Sequence, residues 1–322
     1  MIDVKHTSKE IEKISGPIAI FGAGGFVGFN LLWDFLGYRK DIFGIFSEPK
    51  KNWRIKMKPP PPPNVVKCNI LEKRSLQEFI NTYKPKTIFN LAAYGAYSTQ
   101  KDIDMIYQTN FNSTYAIIEE LKKYGFSAYI HAGSQSEYGL NSSGPSEQDK
   151  LIPNSHYAIS KTADYYLLKY YGKIEKLPVV HVRLYSVYGP WEDPSRLIPT
   201  LISHVKKGKL PPFVDPNISR DFVYIDDVIK ALVIITLQMG SPIYGEAFNI
   251  ASGKKTTIKE LAYLTKRIFN LKKEPEFAKM KNRAWDLKEW YGNPEKIEKL
   301  IGWKATTFLP EGLKKFSEFK VK

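Results

Sequence analysis

The sequence predicts an α/β fold, a doubly wound parallel sheet with a smaller C-terminal substrate lobe, and three observations carry that prediction. Short apolar runs alternate with amphipathic helical stretches, as repeated strand and helix units require. The first run, residues 17–21, passes directly into Gly22-Ala-Gly24-Gly25-Phe26-Val27-Gly28 and then into a helix over 27–36. Beyond residue 180 the chain becomes richer in proline and loops, as material inserted above a sheet to cover a ligand would be.

Residues 1–16 read as a polar, helical extension with no assigned chemistry. The run at 17–21 is short and wholly apolar, as a strand covered on both faces must be. Gly22 permits the tight turn after it, Gly25 lets the backbone approach a pyrophosphate, and Gly28 lets the helix pack closely on the strand. The helix start then offers free N–H groups and a partial positive charge to phosphates, through Phe26 and Val27. A second strand at 41–46 ends at Ser47, where an acid would accept bonds from an adenosine ribose and repel a 2′-phosphate. Ser47, followed by Lys50, Lys51 and Arg54, favours NADP over NAD, and Glu48 can take the ribose role if the register moves by one. The five prolines 59–63 read as extended polyproline in a stiff loop.

A third strand at 65–70 puts Asn69 and Ile70 by the adenine. A fourth, 87–93, ends in Leu91, Ala92 and Ala93, small enough for a cofactor to pass over the sheet edge. A fifth, 127–132, brings Ser134 to its carboxyl end, where open parallel sheets bind ligands. Helices are expected at 75–83, 102–124 and 157–171. A strand at 179–183 follows, and the charged segment 219–227 enters a strand and then a helix. The expected division is a cofactor domain of 17–180 with about 218–250, and a substrate lobe of about 181–217 with 251–322.

The chemistry rests on Ser134, Tyr157 and Lys161. A phenol titrates near ~10 and is a poor base at neutral pH unless a nearby ammonium favours the phenolate. Tyr157 and Lys161 stand four apart and share a helix face, so Lys161 can supply that charge. Ser134 would hold a substrate oxygen for proton transfer while hydride moves to or from the cofactor, which interconverts alcohol and ketone. With 20 tyrosines in the chain, the spacing recurs at Tyr165 and Lys169. Tyr157 opens its helix after a loop and can reach a cleft, whereas Tyr165 lies in an apolar stretch and is expected to pack.

The 322 residues, 43% apolar, suffice for one large domain and a smaller lobe. The single cysteine, Cys68, allows no disulfide within the chain and fits a reducing, cytoplasmic setting. No apolar run reaches the length of a membrane span, and no metal is expected. The formal charge of +15 suits an anionic partner, but the lysines are scattered without a basic arm, so nucleic acid is not expected. The charge reads as a lysine-rich surface with no assigned partner, whose field would also benefit a diphosphate substrate.

The ordered set Gly22-x-x-Gly25-x-x-Gly28, Asn90-Leu-Ala-Ala93, Ser134 four before Tyr138-Gly139, Tyr157-x-x-x-Lys161, Arg183 to Pro190, Arg220 to Asp227 and Asn293-Pro294 with Gly302-Trp303 resembles the extended short-chain dehydrogenase/reductase family. Its nucleotide-sugar epimerases, dehydratases and reductases are the nearest members. The resemblance implies a Rossmann domain, a tightly held NAD or NADP, and a homodimer built on the helices around 102–124 and 157–171. It makes Tyr157 the acid/base, Lys161 its activator and a ribose ligand, and Ser134 the orienting hydroxyl. Asn110 is a further expected cofactor contact. Gln135, Ser136, Ser186, Arg220 and Arg283 are expected on the substrate, the two arginines on its diphosphate. Dehydratases of this family carry acids where this chain has Gln135 and Ser136, and Glu137 comes one place late. The implied reaction is therefore redox at C4 of a nucleotide-linked hexose, by epimerisation or ketoreduction. A 4,6-dehydratase and a non-catalytic NADP-binding sensor or scaffold are the alternatives.

Overall fold

The computed structural model describes residues 9–279 and 287–320. The apolar runs become β1 (Ile18–Phe21), β2 (Ile42–Phe46), β3 (Val65–Lys67), β4 (Thr87–Asn90), β5 (Ala128–Ser134) and β6 (Val179–Leu184). Further along lie β7 (Ser186–Tyr188), β8 (Ser219–Arg220), β9 (Phe222–Tyr224), β10 (Ala247–Ile250) and β11 (Thr256–Thr257). A seven-stranded sheet has the order β10-β6-β5-β4-β1-β2-β3, and every pairing in it is parallel. The order reverses at β1, whose Phe21 aligns with Asn90 of β4. A crevice therefore opens at the carboxyl ends of β1 and β4, the place where a doubly wound sheet takes its ligand.

Helices cover both faces. Alternate residues of β1 point to opposite sides: Ile18 and Ile20 join one apolar cluster, Ala19 and Phe21 the other. The first cluster takes Leu31, Leu32 and Phe35 from α1 (Phe26–Leu36). The second takes Phe79 and Ile80 of α3 (Lys73–Tyr83), which follows the short α2 (Trp53–Met57). It also takes Ile117 and Leu121, beyond the break in the helix expected at 102–124. There α4 (Ile103–Tyr107) widens into a π-helical turn, Gln108–Asn112, before α5 (Ser113–Lys122) resumes. Leu168 and Tyr171 of α6 (His156–Lys173) complete that layer.

Outside the main sheet, β7 pairs with β9 and β8 with β11, beside α7 (Leu197–Val205). Then come α8 (Ile225–Leu237), α9 (Ile258–Ile268), α10 (Glu295–Ile301) and α11 (Leu309–Glu318). The first cluster runs through all of this, from Ile20 and Val180 to Phe213, Ile258 and Trp303. Trp303 is buried and donates its indole N–H to the carbonyl of Asp227 at 3.0 Å.

Two expectations need correcting. The segment before β1 is not merely polar: residues 9–12 form a helical turn, and Ile11 and Ile14 are buried in the core. The proline run is not extended throughout, because Pro62 and Pro63 open a 3-10 turn, Pro62–Asn64. The first positions of a helical turn need no N–H donor, so proline fits there. Among the described residues no helix is long and apolar enough to cross a membrane.

Candidate active site

The glycine loop is shaped by contact with the end of β4. Gly22 has φ +74°, and a Cβ on it would fall 2.6 Å from the backbone of Leu91 and Ala92. A Cβ on Gly28 would stand 2.4 Å from the Gly22 carbonyl oxygen, so only glycine lets α1 rise this close to the loop. Gly25 caps α1 with no side-chain bond, and no acid lies in the first turn. The N–H groups of Phe26 and Val27 are thus left free by helix geometry, in a position no carboxylate contests. This cradle fits the pyrophosphate of a dinucleotide.

The segment after β2 is bound to the same loop. Asn52 caps α2 by accepting from the N–H groups of Arg54 and Ile55, and donates to the Gly24 carbonyl at 2.9 Å. Arg54 is buried, donating to the carbonyls of Gly24 at 2.9 Å and Trp191 at 2.7 Å. The sequence offered it to a 2′-phosphate; the structure instead turns it inward to these carbonyls. Lys51 pairs with Glu48 at 2.9 Å, which leaves Lys50, exposed beside the exposed Ser47. Asn69 is half-buried, its oxygen accepting from Leu71 N–H at 3.2 Å and its amide donating to Glu72 at 2.7 Å. Ile70, Leu91, Ala92 and Ala93 follow at the same sheet edge.

Asn110 departs from expectation. It is fully buried within the π-helical turn, accepts from Tyr94 N–H at 2.9 Å, and donates to the Tyr94 carbonyl at 3.0 Å and to the Ser160 hydroxyl at 2.8 Å. Both amide protons are engaged, so it is a strut rather than a cofactor ligand. Ser160 in turn donates to the Tyr157 carbonyl at 2.8 Å, which ties the loop after β4 to the start of α6.

Ser134 ends β5 and caps the 3-10 turn Gln135–Glu137. Its hydroxyl oxygen accepts from Ser136 N–H at 3.1 Å, leaving its proton to donate. Its own N–H goes to the Glu137 carboxylate at 2.7 Å. Glu137 points away from the crevice, fully buried, 2.8 Å from the His181 imidazole and accepting from Arg183 at 2.7 Å. Burial alone would push that carboxyl up, but the charges of His181 and Arg183 outweigh it and hold it down to about 2. A Cβ on Gly133 would stand 2.0 Å from the His181 ring nitrogen and 2.4 Å from the Glu137 oxygen, so this strand position must be glycine.

Tyr157 is the second residue of α6, half-buried, and burial pushes its phenol up to about 12 while the Ser134 side chain pulls it back. Lys161 is 1% exposed, with its ammonium 3.3 Å from His131 and 3.7 Å from Asp164. Burial lowers its pKa, and the carboxylates of Asp164 and Glu137 oppose that. Tyr165 packs as expected, its ring 4.5 Å from the Arg183 guanidinium. Gln135 donates to the Ser186 hydroxyl at 3.5 Å, and its buried amide oxygen has no hydrogen-bond partner among the described residues. Arg220 stacks its guanidinium 4.5 Å over Trp290. Asp221 is taken by the N–H groups of Ser252 at 2.9 Å, Gly253 at 3.0 Å and Gly292 at 3.2 Å. Arg283 lies outside the described residues.

The family model of the NAD dependent epimerase/dehydratase family matches residues 18–251. A UDP-glucuronate 4-epimerase of Thermodesulfobacterium geofontis is 25% identical over 312 residues, covering 93% of this chain and 94% of that protein. A trifunctional UDP-glucose 4,6-dehydratase/UDP-4-keto-6-deoxy-D-glucose 3,5-epimerase/UDP-4-keto-L-rhamnose-reductase of Arabidopsis thaliana is 29% identical over 214 residues, and the match takes in 65% of this chain and only 31% of that enzyme. The solved UDP-glucuronic acid 4-epimerase of Bacillus cereus, in complex with UDP-glucuronic acid and NAD, superposes with a TM-score of 0.80 at 26% identity, covering 94% of this chain and 98% of that one.

Proposed function

Because the chain belongs to the NAD dependent epimerase/dehydratase family, an enzyme family of the extended short-chain dehydrogenase/reductase type, we propose that it inverts C4 of a nucleotide-diphosphate hexose. The inward turn of Glu137 carries this reading. With its carboxylate held by His181 and Arg183, the turn beside Ser134 offers Gln135 and Ser136 to a ligand and no acid for elimination. That argues against a 4,6-dehydratase and leaves redox at a secondary alcohol. Retention of Ser134, Tyr157 and Lys161 together argues against a sensor, which has no use for all three.

Ser134 donates its free proton to the C4 oxygen and orients it. Burial holds the Tyr157 phenol up to about 12 in the protein alone. The Lys161 ammonium and the positive charge of a bound nicotinamide would therefore be what lets it take the C4 hydroxyl proton, and it returns that proton when the alcohol re-forms after the ketone has turned over. The Gly22–Gly28 loop, with the Phe26 and Val27 N–H groups, would hold the pyrophosphate of a dinucleotide, which would supply the hydride acceptor and then the donor. NAD fits better than NADP, since Arg54 and Lys51 are engaged elsewhere. Among the relatives that this chain resembles along its length are 4-epimerases of UDP-sugars, one of them solved with NAD. Arg220, with Arg283 and Ser186, is assigned to the substrate diphosphate and sugar, in a lobe formed by about 181–217 and 251–322. A homodimer through α5 and α6 accounts for the exposed aromatic side chains of Tyr115, Tyr166 and Tyr170 there.

A second reading, net reduction of a 4-keto sugar by NADPH, is favoured by Ser47 in the place of an acid. Mass spectrometry of the denatured protein identifies the dinucleotide it carries, and NMR of the sugar pool identifies the product. NAD with interconversion of two 4-epimers is expected; stoichiometric NADPH consumption overturns the epimerase. Tyr157→Phe should retain cofactor and lose about a hundredfold or more in kcat, because the proton path goes while the binding surface stays. An unchanged rate refutes the mechanism.

A further inference from the structure

The resemblance gives Lys161 a role but says nothing of what holds it. On the same helix, one turn on, Asp164 is fully buried, and its carboxylate lies 3.7 Å from the Lys161 ammonium. From β5, fully buried His131 sends Nε2 to within 3.1 Å of Asp164 and 3.3 Å of Lys161. We propose that Asp164 and His131 are positioning residues that clamp the Lys161 ammonium in place for Tyr157, a reading that rests on the role given to Lys161 above.

His131 Nε2 faces two groups but can carry only one proton arrangement. Its Nδ1 has no hydrogen-bond partner among the described residues. A buried N–H left without an acceptor is rarer than a lone pair left without a donor, and the Asp164 carboxylate facing Nε2 can only accept. The proton therefore sits on Nε2 and goes to Asp164, which makes Asp164 the hub that holds both the ring and the ammonium. Burial keeps the imidazole neutral, down to about 4. The other groups facing this cluster are Tyr129, stacked on the ring from β5 at 6.3 Å, and His181, stacked from β6 at 5.5 Å. Glu137 and Tyr157 complete the charged and titratable surroundings. Of these, Asp164 is the carboxylate nearest the ammonium and exerts the largest opposition to its loss of charge on burial.

Removing that carboxylate frees the Lys161 proton at lower pH. In Asp164→Asn the Lys161 13Cε resonance, assigned by its loss in Lys161→Met, should titrate at lower pH than in wild type. The alkaline limb of the kcat profile should move the same way, with kcat down about a hundredfold and KM for the nucleotide sugar unchanged. In wild type, 15N imidazole spectra should place the His131 proton on Nε2. Because Asp164→Asn can fail to fold, a second pair stands beside it: His131→Gln, which keeps an N–H toward Asp164, should retain the rate that His131→Phe loses. An unmoved Lys161 titration, an Nδ1 proton, or equal rates in the His131 pair overturns the clamp. The lysine titration is read on the protein alone, so a shift there with no sugar turnover in wild type refutes the proposed function and leaves the clamp standing.

Discussion

Glu137→Gln tests the buried pair that fixes Ser134. The substitution keeps the shape of the side chain but removes the charge facing His181 and Arg183. A carboxyl held at about 2 against an ordinary 4.5 stabilises the fold by roughly 3 kcal/mol, at ~1.4 kcal/mol per pH unit. Loss of one partner of a buried ion pair independently suggests about 3–5 kcal/mol. For a chain of this length that is a fall of about 5 °C in Tm. The sign with pH follows from the direction. A depressed carboxyl stabilises above its unfolded value and loses that contribution as pH falls toward its folded value, so the gap between wild type and variant narrows below pH 4.5. Urea or thermal melts at neutral pH and near the ordinary carboxyl value measure both. Equal Tm at pH 7, or a gap that widens in acid, refutes the assignment of Glu137 as a structural anchor.

Gly133→Ala should lower stability by about 3 kcal/mol, the upper end for overpacking, since its Cβ would enter the Glu137–His181 pair at 2.0 Å from the ring nitrogen; a melt within a degree of wild type contradicts it. Glu192 is half-buried with its side chain only 8% exposed, and desolvation pushes its carboxyl up to about 8, so the folded chain keeps a proton that the unfolded chain releases. Wild type should therefore lose stability as pH rises from 4.5 toward 8, by at most about 5 kcal/mol. Glu192→Gln should remove that slope in parallel melts across the range, and identical slopes would show that Glu192 is not the titrating group.

The parts of the site that depend on neighbours in sequence were legible. Gly22, Gly25 and Gly28 announce the loop because one short segment must turn, approach a phosphate and pack. Ser134, Tyr157 and Lys161 carry the proposed chemistry through residue type and a four-residue spacing. What escaped depends on strands brought side by side. Nothing near Glu137 signals that His181 and Arg183 will face it from β6, or near Lys161 that His131 will reach it from β5. Glu137 comes one place late in the sequence, and the structure turns it inward to His181 and Arg183. Arg54 reads as an exposed cation in a lysine-rich loop, yet two backbone carbonyls draw it inward. The helix expected at 102–124 keeps its overall course, but its apolar periodicity does not reveal the wide turn that carries Asn110 inside.

The apolar cluster that passes from Ile20 to Trp303 has a bearing on how such a chain can change over evolutionary time. A sugar lobe with its own core could be exchanged between enzymes like a cartridge. Here truncation after Ile250 would strip Ile258, Leu261, Ile297 and Trp303 from a cluster that also holds β1 and β6, so the remaining piece should not melt as an independent unit. New specificity must then arise by substitution within a single cooperative body, one side chain at a time, with each step bounded by the stability of the whole.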